Sequence, residues 1–102
     1  MGRNIRNVTD QANLVPVGVH QSEAISTSVV TITVPATATH VQYTISGQPV
    51  RLRMDGDDPD ASTGLYLGAG ASGMMRREAA LAAKFIRAGA SDGQLDAQPM
   101  AY

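Results

Sequence analysis

The sequence predicts a mostly β domain, an antiparallel β-sandwich or jelly-roll-like barrel with one short helix. Three observations predict it. Apolar and polar residues alternate with a period of two in several short stretches between Val15 and Met54, the spacing that gives a strand one buried and one solvated face. Clusters of Gly, Pro, Asp or Ser close these stretches, and such residues form turns. Only residues 78–88 carry apolar side chains at helical spacing.

The opening residues 1–13 hold Arg3, Arg6, Asn4, Asn7 and Asn13 with scattered Ile5, Val8 and Ala12. They match neither period, so they read as an extended N-terminal arm or, alternatively, a frayed terminus, and residues 14–102 are expected to form a single β-sandwich domain. From Leu14 the pattern changes. Val15, Val17 and Val19 alternate with Pro16, Gly18 and His20, a half-buried strand that Pro16 confines to an edge or a bulge. Residues 26–34 carry the strongest strand signal, with Val30, Ile32 and Val34 on one face, Thr31 and Thr33 on the other, and Pro35 closing. Val41, Tyr43 and Ile45 then alternate with Gln42 and Thr44 up to Ser46 and Gly47, and Val50, Leu52 and Met54 alternate with Arg51 and Arg53. Three consecutive strands with short connections predict an antiparallel meander.

Beyond the acidic turn at 55–60, Leu65, Tyr66 and Leu67 predict a short strand before the glycines at 68, 70 and 73. In the helix predicted over 78–88, Leu81 and Phe85 share a face with Ala82 and Ile86 beside them. Lys84 and Arg87 suit the C-terminal dipole, and Gly89 a left-handed C′ position. Leu95 and Ala97 alternate with Gln94, Asp96 and Gln98 in a final strand that Pro99 places at an edge.

Composition narrows the function. The 102 residues suffice for one domain. One Phe, three Tyr and no Trp leave a thin core, so a small homo-oligomer is expected to bury the remaining apolar surface. A net charge of −1 opposes non-specific binding to nucleic acid. The lack of cysteine fits synthesis in a reducing cytosol, and no apolar run has the length of a membrane span. Neither nucleic acid nor a membrane is an expected partner.

Several residue groups invite a chemical reading. Asp55, Asp57, Asp58 and Asp60 are dense enough for calcium, but their spacing departs from an EF-hand loop, and Asp-Gly and Asp-Pro pairs form tight turns unaided. His20 and His40 lack further ligands at zinc-site spacing and read as strand-end histidines. Ser22, Ser26 and Ser28 lie in no nucleophile elbow. The glycines at 68–73 lack the Gly-Lys-Ser/Thr ending of a phosphate loop. Arg51, Arg53, Arg76 and Arg77 form either a solvated face or a basic patch for an acidic partner. The expected site set therefore holds no catalytic, cofactor-binding or metal-binding residue, and the chain is not expected to be an enzyme.

One ordered set of segments points to a family. A Val-rich strand ends in Pro at 29–35, Gly-Gln-Pro-Val-Arg-Leu-Arg follows at 47–53, and an Asp-Gly-x-x-Pro-x-Ala-Ser-x-Gly loop at 55–64. Leu-Ala-Ala-Lys-Phe-Ile stands at 81–86, before a Gly/Ser turn and a terminal strand. Over residues 26–102 the chain resembles small virion structural proteins of tailed bacteriophages, of the capsid decoration or cement kind. The N-terminal arm lies outside the resemblance.

That resemblance implies a β-sandwich subunit of the virion, made in the host cytoplasm and bound to the major capsid protein or another virion protein. Closed symmetry, as a trimer at a threefold or quasi-threefold position, would bury apolar surface. A tail, neck or head-fibre component is the alternative. A carbohydrate-binding module is the reading from a different class, opposed by a small aromatic supply of Tyr43, Tyr66, Tyr102 and Phe85.

Overall fold

The alternation that marks strands in the sequence is most regular near the C-terminus, and that segment organises the fold. The computed structural model describes residues 13–102; the expected arm over 1–13 lies outside the described residues apart from Asn13. In chain order the strands are β1 (Val15–Pro16), β2 (Gln21–Ile25), β3 (Val30–Thr31), β4 (His40–Ser46), β5 (Val50–Arg53), β6 (Leu65–Leu67) and β7 (Ser72–Arg76). The helix α1 (Arg77–Ala82) follows, then β8 (Lys84–Arg87) and β9 (Gly93–Ala101).

They form two antiparallel sheets. In the first, β9 has β4 on one side and β1 and β2 in succession on the other, with β7 beyond β4. The second runs β3-β8-β5-β6. Ile25, Val41, Ile45, Leu95 and Ala97 from the first sheet share one core with Val50, Leu52 and Phe85 from the second, so the expected sandwich architecture is the one observed.

β9 shows why the sheets meet closely. Gly93, Leu95, Ala97, Pro99 and Ala101 are buried and alternate with the partly exposed Gln94, Asp96, Gln98 and Met100. The inward positions are mostly small. At Gly93 an added Cβ would lie 2.6 Å from the Gln48 carbonyl oxygen and 2.8 Å from Val50 Cγ1, so only glycine permits that approach. Within the first sheet, Gly73 of β7 makes room for the Tyr43 side chain, since a Cβ would stand 2.8 Å from the hydroxyl of this cross-strand neighbour.

The structure corrects six sequence expectations. The meander does not form: β4 lies in the first sheet, while β3 and β5 lie in the second and each pairs with β8. Gly47 (φ +78°) turns the chain after β4 and carries it across to the other sheet. The strand expected over 26–34 reduces to Val30–Thr31. There the side chain of Gln21 substitutes for a neighbouring strand, its amide nitrogen donating to Thr31 O at 2.9 Å and its oxygen accepting from Thr33 N at 2.9 Å. The predicted inward residue Ile32 is nonetheless buried. The strand expected from Leu14 likewise survives only as Val15–Pro16, and it does occupy an edge. The glycine segment at 68–73, expected as a connection before the helix, is one only up to Ala71, because Ser72 and Gly73 open strand β7.

The helix is shorter than the sequence predicts, ending at Ala82, with Ala83 extended at φ −69°, ψ 130°. Lys84, Phe85, Ile86 and Arg87 are instead a central strand, and Phe85 pairs with Val30 on one side and Leu52 on the other. Burying the one Phe fully between two strands outweighs the helical spacing of Leu81 and Phe85, and Leu81 is left 57% exposed. Pro99 does not mark an edge either, since β9 is paired on both sides. Its carbonyl oxygen accepts from Val17 N at 2.9 Å, so its missing N–H falls on the side where the neighbouring chain leaves the ladder between β1 and β2.

These assignments predict a contrast. Phe85→Ala should destabilise the fold by about 3–5 kcal/mol in urea unfolding, as a large core truncation does, whereas Leu81→Ala should change it by no more than about 0.5 kcal/mol. Comparable losses at the two positions would restore the longer helix.

Candidate functional site

β5 alternates inward Val50 and Leu52 with outward Arg51 and Arg53, so two guanidinium groups start from the outer face of the second sheet. The acidic loop folds back onto that face. Arg53 Nε donates to Asp55 Oδ1 at 3.0 Å, and its Nη2 reaches Asp57 Oδ2 at 3.3 Å. Lys84, the cross-strand neighbour of Arg53, donates to Gly56 O at 2.9 Å and Asp58 Oδ1 at 3.0 Å. Asp60 Oδ1 accepts from the backbone N–H of Ser62 at 2.9 Å and its hydroxyl at 3.1 Å, an Asx turn. All four carboxylates thus have partners within the chain. The Arg53 hydrogen bond holds Asp55 below the usual carboxylate range and raises Arg53 in turn, while the Ser62 N–H leads the lowering at Asp60. Among the described residues no three His, Cys, Asp or Glu side chains converge as metal ligands.

Arg51 serves the same loop differently. Its Nε donates to Ala61 O and its Nη1 to Gly64 O, both at 3.2 Å, and the guanidinium carbon lies 5.1 Å from the centre of the Tyr66 ring. The other two arginines of the sequence patch are not on this sheet. Arg76 ends β7 opposite His40, and Arg77 turns its Nη1 to Pro35 O and Ala38 O, tying α1 to the turn before β4.

The two histidines have separate partners. His40 Nδ1 lies 2.9 Å from Thr39 Oγ1, and its ring meets Tyr102 edge-on at 5.6 Å. His20 Nε2 lies 3.1 Å from Asp96 Oδ1. A cluster missed by sequence reasoning appears here, because the pairing of β2 with β9 puts Ser22 opposite Asp96. Asp96 is held below its ordinary value first by the His20 hydrogen bond and then by Ser22. The three residue types of a hydrolase are together, but in the wrong order. Asp96 sits between imidazole and hydroxyl, and Ser22 Oγ also accepts from Gln94 Nε2 at 2.8 Å, so the imidazole is not placed to take the serine proton. Ser26 Oγ accepts from Ser28 N at 3.4 Å. In the glycine segment, Gly70 N donates to Ile45 O at 2.7 Å and Ala71 N to Gly68 O at 3.0 Å, which commits two amides that a phosphate loop would need free.

The chain also leaves several large apolar side chains exposed. Leu65 and Tyr66 of β6 are 55% and 59% exposed, and a shallow open depression beside them is lined by Leu52, Arg53, Met54, Asp55, Gly64 and Leu65. Met74 on β7 is also exposed. Set against known protein families, curated proteins and solved structures, the chain matches none of them.

Two outcomes are expected of the acidic loop. With its carboxylates engaged by Arg53, Lys84 and Ser62, addition of calcium or a chelator should leave the Tm nearly unchanged, and a rise of many degrees would show a cation site. Asp55 is depressed in the folded state, so its contribution is present above its unfolded value near pH 4 and is lost as pH falls through the folded value. Arg53→Gln should therefore flatten the decline of Tm with pH below about pH 4, an effect that shrinks in high salt. An identical acid profile in the variant would remove Arg53 as the cause.

Proposed function

We propose that the chain is a bacteriophage virion structural protein, a capsid decoration or cement subunit that binds and stabilises the head shell. Its work would be to add contact energy across joints between major capsid subunits, with copies of the chain associated in a closed homo-oligomer. The observation that carries this reading is how the side chains are used. The charged groups of the second sheet and its loop bond one another, while Leu65, Tyr66 and Met74 on edge strands stay exposed. Such a surface suits lasting attachment to protein better than turnover of a small molecule.

The sandwich architecture supports the reading, because it is the fold that the resemblance of residues 26–102 implies. The loop at 55–64 lends further support. It belongs to the segments carrying the resemblance, and it is braced by Arg51, Arg53 and Lys84 into a fixed shape. A rigid loop loses little entropy on docking, so each contact in a many-copy shell keeps more of its gross energy.

Purified protein should co-sediment with particles that lack it and raise the temperature at which those heads release DNA. Removal of residues 2–13 should leave the Tm of the free protein nearly unchanged while weakening attachment to the particle, since ordering a segment requires compensation by a partner. Failure of the full chain to bind heads, with binding to tails or glycans instead, would replace this reading.

A further inference from the structure

The two sheets end together on one side. β6 is the edge of the second sheet and β7 the edge of the first, joined by the short connection at 68–71. Among the described residues no strand pairs with the outer edge of either. No charged residue occurs from Ala61 to Met75, a stretch that contains β6, the connection and most of β7. Leu65, Tyr66 and Met74 are exposed there at 55%, 59% and 43%, and Met54 beside them at 39%.

The opposite side is built differently. β1 carries Pro16, β2 carries Glu23, and the two are interrupted between Val17 and His20. β3 is two residues long, with the Gln21 side chain bonded along its continuation. Proline, charge, interruption and shortness are the devices by which sheets avoid joining edge to edge. β6 is short too, but it has neither proline nor charge, and its face is fixed by Arg51 lying against Tyr66.

We propose that a second copy of this chain docks on this side, β6 against β6 of the other copy, antiparallel about a twofold axis through Tyr66. The proposal rests on the reading of the chain as a self-associating assembly protein and does not depend on the shell. The occupant follows from the edge itself. Leu65-Tyr66-Leu67 reads the same in both directions, so the twofold sets each Leu65 against the partner copy's Leu67 and the two Tyr66 rings against each other, with no like charges opposed. Leu65 and Leu67 lie on the same face as the core residues Leu52 and Val50 that they pair with, so the second copy would extend the buried layer past the point where this sandwich stops. An isologous contact closes at two copies, so a dimer, and not the expected trimer, is the form assigned to the free protein.

Residues 1–12 are the competing occupant. Asn13 leads into β1, which pairs with Met100 and Ala101 on the side of β9 away from β4 and β7, so the described residues begin on the opposite side of the first sheet.

Sedimentation of the full chain at micromolar concentration should give a dimer. Leu65→Lys and Tyr66→Lys, at exposed positions of β6, should each shift it to monomer with circular dichroism and Tm retained. Because the chain lacks cysteine, Tyr66→Cys supplies a second readout that does not depend on the lysine variants folding. Directly opposed residues of an antiparallel pair lie within disulfide range, so mild oxidation should give a covalent dimer at position 66 and none for Glu23→Cys on the far side. Deletion of residues 2–13 should leave the dimer intact. A monomeric or trimeric wild type, a dimer that survives Leu65→Lys, the absence of a Tyr66→Cys cross-link, or loss of the dimer with the arm would each overturn the proposal. A monomer would leave shell attachment standing, which co-sedimentation with particles reads separately.

Discussion

The fold depends on one strand being paired along both edges while three of its five inward positions are Gly or Ala. β9 collects β1 and β2 on one side and β4 on the other, so the N-terminal part of the domain is held by its last strand. Its inward Gly93, Ala97 and Ala101 leave room for the larger side chains of the facing sheet, Phe85 and Leu52 among them. A thin, aromatic-poor core can close because the sheets approach closely at these small residues. The cost is long-range connectivity: the β9 pairings join residues at opposite ends of the chain, and such contacts form late in folding.

A second constraint is the use of charge. Arg53 and Lys84 are cross-strand neighbours, an arrangement that is repulsive by itself. The acidic loop offsets it with Asp55, Asp57 and Asp58, and the two features that look like separate sites in the sequence become one internally neutralised unit. Ser22, His20 and Asp96 show the same economy on the first sheet. Three chemically capable residues are gathered, and their order spends the carboxylate on both neighbours instead of directing the imidazole at the hydroxyl.

The sequence disclosed the strand faces better than their pairing. Val41, Ile45, Val50 and Leu52 are inward as the alternation predicts, because a period of two depends only on local geometry. The meander failed because neighbours in a sandwich are chosen by burial across the whole chain, and β8, the true partner of β3 and β5, was hidden under a helical spacing. Phe85 satisfied both periods, and only its place between two strands separates them. Pro99 misled for a related reason: it is excluded from a central strand only where its N–H is needed, and the break between β1 and β2 removes that need. Of the candidate site residues, the carboxylates and arginines were visible individually, but the Ser22–Asp96 juxtaposition depends on a pairing of β2, which carries too few apolar residues to signal itself.

The chain is a sandwich closed by its C-terminal strand, with the charges of its second sheet paired to its own acidic loop on the surface and large apolar side chains exposed at its edges. Native-state amide hydrogen exchange tests that closure most directly. If β9 holds both flanks of the first sheet, the amides of Leu95 and Ala97 and of Val41 and Ile45 should exchange together, among the slowest in the molecule and through global unfolding, with their protection changing equally in denaturant. Amides of β9 that exchange through local fraying, well before those of β5 and β8, would contradict it.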